Sequence, residues 1–401
     1  MKTEMRQAQP YEEIAPLIEL CKSGRLFEVQ NWIAEGRPIN PPVLVDNKRR
    51  RKSPLQVAID KGFHSMVQVL LEGGAVLQEG PYSALSHALE QRRFDLVQLL
   101  VEHGSDIHAV GMESAFDTWS PDIIEFFIDH GVDLEHGNPL AYALCSRIRP
   151  ALGIFKRYEH RFPGLRKQIN IALRYHCKAG NLKWVSLMLW AGADPYERGP
   201  YYPDDDDKDD CMSALELAAF YEQFDVFKLK SIHLDPNHPG VSDLLWNACF
   251  SEKSDLLKML LKKGFRPGDL EDKGTSLIQS LISSMSNTFD FYRFSRQDKD
   301  IDTYRSREKM KMLHMLARVG ALWLPDSRGD INNARRSLLK MRSDYVMEFI
   351  WIMSEYRACT RETIEALMKT PTIRSLISKH TTKFNDFMES FRDHSSIKSK
   401  R

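Results

Sequence analysis

The chemistry most visible in this chain is charge. Residues 204–210 read DDDDKDD, six aspartates around one lysine. Asp204, Asp205, Asp206, Asp207, Asp209 and Asp210 have the oxygen content of a hard-cation site. A calcium loop of the EF-hand kind needs spaced oxygens, a glycine at its sixth position and a glutamate at its twelfth. Counted from Asp204, those places hold Asp209 and Leu215, so the stretch is not such a loop. A second charged run, Lys48, Arg49, Arg50, Arg51 and Lys52, precedes SPLQ. It suits phosphates, an acidic partner or a nuclear address, or it is five repelling charges in a solvated loop. A third stretch, Ser286 to Lys309, interleaves Phe289, Phe291, Tyr292, Phe294 and Tyr304 with Arg293, Arg296 and Arg305. Such mixtures fit protein hot spots and single-strand stacking, or fold back as a local mini-core.

Catalytic spacings are missing. The string nearest to a phosphate loop, DKGTS at 272–276, has lysine before glycine, the wrong order. There is no G-x-S-x-G elbow, no HExxH and no paired cysteines for zinc. His233 and His238 come nearest to a histidine cluster and read as a polar turn. His176 and Cys177 are adjacent, so on a helix they point about 100° apart and cannot act as a nucleophile pair. Both are expected between packed helices. The reading is of a protein that is not an enzyme and has no cofactor or metal.

The elements that carry these stretches follow from the rest of the chain. Of its 401 residues 42% are hydrophobic and 28% charged, with net charge +1, a folded and soluble composition. Near-zero net charge argues against coating nucleic acid along the whole length. Six scattered cysteines argue for a reducing, cytoplasmic setting rather than a disulfide scaffold. The N-terminal residues lack a signal-peptide apolar core, and no run approaches the roughly 18 apolar residues of a membrane span.

A repeat organises the sequence. SPLQVAIDKGFHSMVQVLLEGGAVL from Ser53 aligns with SALSHALEQRRFDLVQLLVEHGSDI from Ser83, offset by 30 residues. Each unit reads as a short helix, a turn, a second helix with one apolar stripe, and a glycine. An aliphatic residue is followed seven positions later by glycine at Val29–Gly36, Val67–Gly74, Val97–Gly104, Ile124–Gly131, Val185–Gly192, Leu257–Gly264 and Leu313–Gly320. Those glycines suit a left-handed helix stop. First helices are expected to begin near Ser53, Ser83, Ser114, Asn138, Ser213 and Asp243.

These units resemble ankyrin repeats, on the strength of SPLQVA with VQVLLEGGA and of CKAGNLKWVSLMLWAGADP. The resemblance spans roughly residues 11–325, as about nine units. It implies an all-α helix-turn-helix solenoid, with a concave face and loop fingers that bind a protein partner without doing chemistry. The family's TPLH histidine is replaced by Gln56, Ser86, Asp117, Ala141 and Glu216, so weaker fastening of the turns is expected. Asn138 to Leu165 is the poorest unit. The array is assigned to 1–325, with insertions at 196–212 and 284–309, and 326–401 to a degenerate repeat and helical cap with a frayed tail. Thr360 and Glu362 signal a helix start there.

Partner binding is expected of the fingers. Tyr196, Tyr201 and Tyr202 beside Asp204–Asp207 would make an acidic, tyrosine-flanked docking finger, or else a solvated insertion. The 48–52 run and Phe291, Tyr292, Arg293 and Phe294 serve the same role, or serve nucleic acid in the alternative reading; membrane binding is not expected. A subunit of a larger complex or an effector fits equally.

Overall fold

A computed structural model describes residues 7–42, 51–77, 83–204, 211–241, 243–251, 253–267, 277–294, 299–325 and 328–380, with only the backbone described at 286–294, 299–303, 328–330 and 380. It is all-α, and the chain divides into two compact units. The first takes Met1–Ala172 with Tyr202–Asp206, the second Leu173–Tyr201 with Asp207–Arg401.

The first unit is a series of helix pairs. They are α1 (Ala15–Ser23) and α2 (Leu26–Ala34), α3 (Pro54–Lys61) and α4 (His64–Glu72), α5 (Ala84–Glu90) and α6 (Phe94–Glu102), α7 (Met112–Asp117) and α8 (Pro121–Asp129), and α9 (Pro139–Cys145) and α10 (Pro150–Tyr158). First helices pack on first helices, α1 on α3, α3 on α5 and α5 on α7; second helices stack likewise. α11 (Leu165–Lys178) begins in the first unit and ends in the second. There it is followed by α12 (Leu182–Ala191), α13 (Ala214–Phe220) and a 3-10 turn, Phe224–Lys228, standing in for a second helix. Then come α14 (Leu244–Phe250) and α15 (Asp255–Lys262), α16 (Leu277–Phe294) and α17 (Lys299–Arg318), α18 (Arg328–Lys340) and α19 (Ser343–Glu355), and α20 (Arg361–Met368) and α21 (Pro371–His380).

The apolar stripes are buried as the periodicity requires. On α4, Met66, Val67, Leu70 and Leu71 are covered; on α15, Leu256, Leu257, Leu260 and Leu261. All seven glycines of the repeat signature are left-handed, with φ from +76 at Gly36 to +102 at Gly264. A Cβ there would strain the stop.

Several expectations are corrected. At two of the positions where the family has its histidine, Gln56 and Glu216, another side chain fastens the start of the first helix. Gln56 Oε1 accepts from the Ser53 amide at 3.0 Å while the Ser53 hydroxyl accepts from the Gln56 amide, and Glu216 pairs with Ser213 in the same reciprocal way. Asn40, 3% exposed, bonds the next loop through the Gly74 carbonyl and the Val76 amide. The segment 138–165 is a complete helix pair. Asn138 offers no side-chain cap, but Gln168 reaches back and accepts from the Leu140 and Ala141 amides. Its turn residue is Arg147 at φ +65 rather than glycine, which hid the unit. Ser114 lies inside α7 rather than before it. The insertion at 284–309 lengthens the two helices α16 and α17, not the turn between them: from Leu277 to Arg318 there is no glycine or proline to stop a helix.

At the far end, the Thr360 hydroxyl accepts from the Thr363 amide and starts α20, as its sequence signal requires.

Candidate protein-interaction site

The first helices α1, α3, α5, α7, α9, α11 and α13 each end in a tight turn whose residue is left-handed: Gly24, Gly62, Arg92, Trp119, Arg147, Gly180 and Glu222. This fixes a register that the sequence does not show. Two residues earlier stand Lys22, Asp60, Glu90, Asp117, Cys145, Lys178 and Phe220. Phe250, 30 residues after Phe220, is likewise the last residue of its first helix, α14, which gives way to an extended Ser251 rather than to a left-handed turn. In the first unit this position turns acidic on three successive repeats. In the second it turns aromatic: Phe220 is 53% exposed and Phe250 45%, with Tyr221 edge-on to Phe220 at 5.2 Å and Trp246 at 5.3 Å from Phe250. No periodicity argument singled out these aromatics, since each sits one step beyond an apolar stripe.

The finger after Gly192 is pinned at its base from α11. Arg174 is fully buried; its Nε donates to the Pro200 carbonyl at 2.7 Å and its Nη1 to the Glu197 carbonyl at 2.9 Å. Burial pulls the guanidinium pKa down, against the nearby Glu197 carboxylate. Gly199 and Met212 form an antiparallel bridge across the finger's neck. Arg198 then ties the finger to two first helices, with its Nη2 2.5 Å from Glu216 Oε1 and 3.0 Å from Asp243 Oδ2. Glu216 Oε1 also accepts from the Asp243 amide at 3.1 Å. Burial works against the charge on Arg198, and the two carboxylates outweigh it and hold its pKa up.

This engagement decides where the tyrosines stand. The Tyr196 hydroxyl donates to the His233 carbonyl and accepts from the Asp235 amide, and its ring lies 4.2 Å from that of His238. Tyr201 stacks under the Lys178 ammonium at 3.7 Å, which also lies 4.9 Å from the Tyr221 ring. Tyr196 and Tyr201 thus anchor the finger within the chain. Tyr202 is 42% exposed and Asp204 is exposed; the neighbouring Pro203 carbonyl accepts from Asn138. Asp205, Asp206 and Asp207 lie outside the described residues, as do Lys48, Arg49 and Arg50.

The described part of the basic run is paired within the first unit. Arg51 meets Glu12 at 3.3 Å and covers the Tyr11 ring at 4.8 Å, and Lys52 Nζ lies 2.5 Å from Asp60 Oδ2. Phe291, Tyr292, Arg293 and Phe294 are the last turn of α16, with their side chains outside the described set. His176 and Cys177 are buried, and His176 stacks on Trp184 at 5.4 Å.

Among the described residues no group of three or more His, Cys, Asp or Glu is placed to hold a metal ion, and no helix is long and apolar enough to cross a membrane. Burial lifts the thiols of Cys21, Cys145 and Cys249 to about 12 and those of Cys177 and Cys359 further still, while Cys211, at the neck of the finger, is half-buried. A thiol-specific chromogenic reagent is therefore expected to titrate one fast cysteine in the native chain and all six in denaturant. Two or more fast thiols, or a fast one surviving Cys211→Ser, would contradict this burial pattern.

A family profile described as ankyrin repeats (3 copies) matches residues 17–110. A 58-residue stretch is 38% identical to dynein axonemal heavy chain 12 of Bos taurus, covering 14% of this chain and 16% of that one. Among solved structures, the human ASB11 ankyrin repeat domain is 20% identical, with 58% of this chain and 97% of that one covered and a TM-score of 0.35. The ankyrin repeat domain of Bcl-3, a member of the IkappaB family, is 17% identical over 66% of this chain and 92% of that one, with a TM-score of 0.30.

Proposed function

We propose that this all-α chain of helix pairs, matched by an ankyrin-repeat profile over residues 17–110, is a non-enzymatic interaction module, an adaptor or scaffold that holds a protein partner on the ends of its first helices and on its fingers. Ankyrin repeats generally mediate protein–protein binding, and repeat arrays offer extended surfaces suited to it. The observation that carries this reading is the pair Phe220 and Phe250. Each is a half-exposed aromatic at the last residue of a first helix on neighbouring repeats, a ready contact surface, and aromatic anchors dominate interface energetics. A cytoplasmic setting and a capping role for residues 326–401 belong to the same proposal and rest on the sequence. The nucleic-acid reading has no observation on its side: Arg51 and Lys52 are paired with carboxylates, and the described surface of the first unit carries an acidic row.

The test is affinity purification of the full chain from its native source with quantitative mass spectrometry, run beside the Phe220→Ala/Phe250→Ala variant. Loss of two such anchors is expected to cut recovery of a direct partner by roughly ten- to a hundredfold. Undiminished recovery of every partner by the double variant would rule out this face as the binding surface.

A further inference from the structure

The acidic row of the first unit supports a more specific reading, which rests on the interaction role proposed above. Asp60, Glu90 and Asp117 occupy one register on α3, α5 and α7, which pack in series. The first of the three is already occupied by a cation. Lys52 arrives from the preceding loop and sets its ammonium 2.5 Å from one Asp60 oxygen, with His87 Nδ1 3.3 Å from the other. At the next two positions the described chain supplies no comparable partner. Glu90 has His87 at 3.9 Å, an ion pair only when that imidazole is protonated. Asp117 is exposed and pairs with no basic side chain among the described residues; the partial desolvation that remains raises its carboxyl pKa.

Between these two carboxylates opens a groove of about 550 Å³. Leu89, Ala109 and Val110 give it apolar surface and Thr118 a polar one. Arg92 also lines it, one cation against two carboxylates.

We propose that this groove takes a lysine or arginine side chain of a protein partner, its charged head between Glu90 and Asp117 and its stem along Leu89 and Val110, so repeating from outside what Lys52 does at Asp60. Long basic side chains suit such a site, because their methylenes cover apolar surface while the head stays with a carboxylate. Two carboxylates around one guanidinium or ammonium give charge-assisted hydrogen bonds as well as attraction. A phosphate backbone or an acidic peptide would meet a rim of its own sign.

The probe is a phage library of random twelve-residue peptides panned on the full chain. The recovered peptides are expected to share a lysine or arginine beside an apolar residue. In a synthetic copy, changing that basic residue to glutamine should weaken binding roughly tenfold or more. Glu90→Gln/Asp117→Asn should cost the same factor, and Glu90→Gln alone part of it, with melting by circular dichroism unchanged because both carboxylates are exposed. High salt should weaken the wild-type complex and leave the double variant's residual binding nearly flat. The proposal is overturned if no peptide is recovered, if recovered peptides lack a shared basic residue, or if they bind the double variant as tightly as the wild type. Native partners that are lost with Phe220→Ala/Phe250→Ala but kept by Glu90→Gln/Asp117→Asn would remove the groove and leave the interaction role standing. Partners kept by both variants would remove both.

Discussion

Glu216→Ala is expected to destabilise the second unit by about 3–5 kcal/mol, among the largest effects of any single substitution outside the apolar core. The carboxylate is fully buried and serves three partners at once. It closes the capping box of α13 through the Ser213 amide, meets Arg198 from the finger, and accepts from the Asp243 amide at the start of α14. Alanine leaves the Ser213 and Asp243 amides without this acceptor and takes one of two carboxylates from the partly buried Arg198 guanidinium, and the cost of unmet buried groups exceeds the value of any one bond. Glu216→Gln keeps the shape and one acceptor oxygen, so it should fall between alanine and wild type. Urea denaturation of the full chain followed by far-ultraviolet circular dichroism measures the difference. A loss below about 1 kcal/mol for alanine would mean that the network is not coupled as its geometry indicates.

The second large effect is expected of Lys309→Met, at about 2–4 kcal/mol. Lys309 is 6% exposed, and its ammonium donates to the Cys249 carbonyl at 2.5 Å and the Ser251 carbonyl at 2.9 Å, capping the end of α14 from α17. Methionine keeps the volume and removes the donor, so the cost isolates two buried carbonyls left unmet. Glu308 works beside it, accepting from both the amide and the hydroxyl of Ser254 and pairing with Lys311 at 2.5 Å. Burial pushes the Glu308 carboxyl up, but those donors outweigh it and hold its pKa below the ordinary value. Its contribution is therefore present above the unfolded carboxylate pKa of about 4.3 and is lost as pH falls through the lower folded value. Urea denaturation measures the Lys309→Met penalty as it does that of Glu216→Ala, and one below about 1 kcal/mol would show that the amine is not capping those carbonyls.

The repeat was legible because helix stops are local. Gly36, Gly74 and their counterparts are read directly from the chain, as a left-handed residue at a helix end favours the one amino acid without a Cβ. The turns inside each pair were not legible. Arg92, Trp119, Arg147 and Glu222 take the same left-handed conformation without glycine. The register of Asp60, Glu90, Asp117 and Phe220 depends on those turns and stayed hidden with them. Charge and composition pointed instead to the fingers, where Tyr196, Tyr201, Arg51 and Lys52 are conspicuous in sequence and engaged within the fold. Long-range fasteners such as Gln168, Glu308 and Lys309 left no mark in the sequence, since nothing in a pattern of 30 residues tells a solvated lysine from one aimed at a carbonyl 60 residues away.

The capping of α14 by α17 also bears on how the array comes apart. A stack of independent repeats would fray from its ends one unit at a time, with each breathing motion confined to its own pair of helices. Here the carbonyls that close α14 are held by a side chain 58 residues or more downstream. Whenever α17 lifts, the end of α14 is uncapped in the same event, so the smallest piece that can open runs across a repeat boundary. In the second unit the grain of cooperative motion is set by these cross-links and is coarser than the repeat itself.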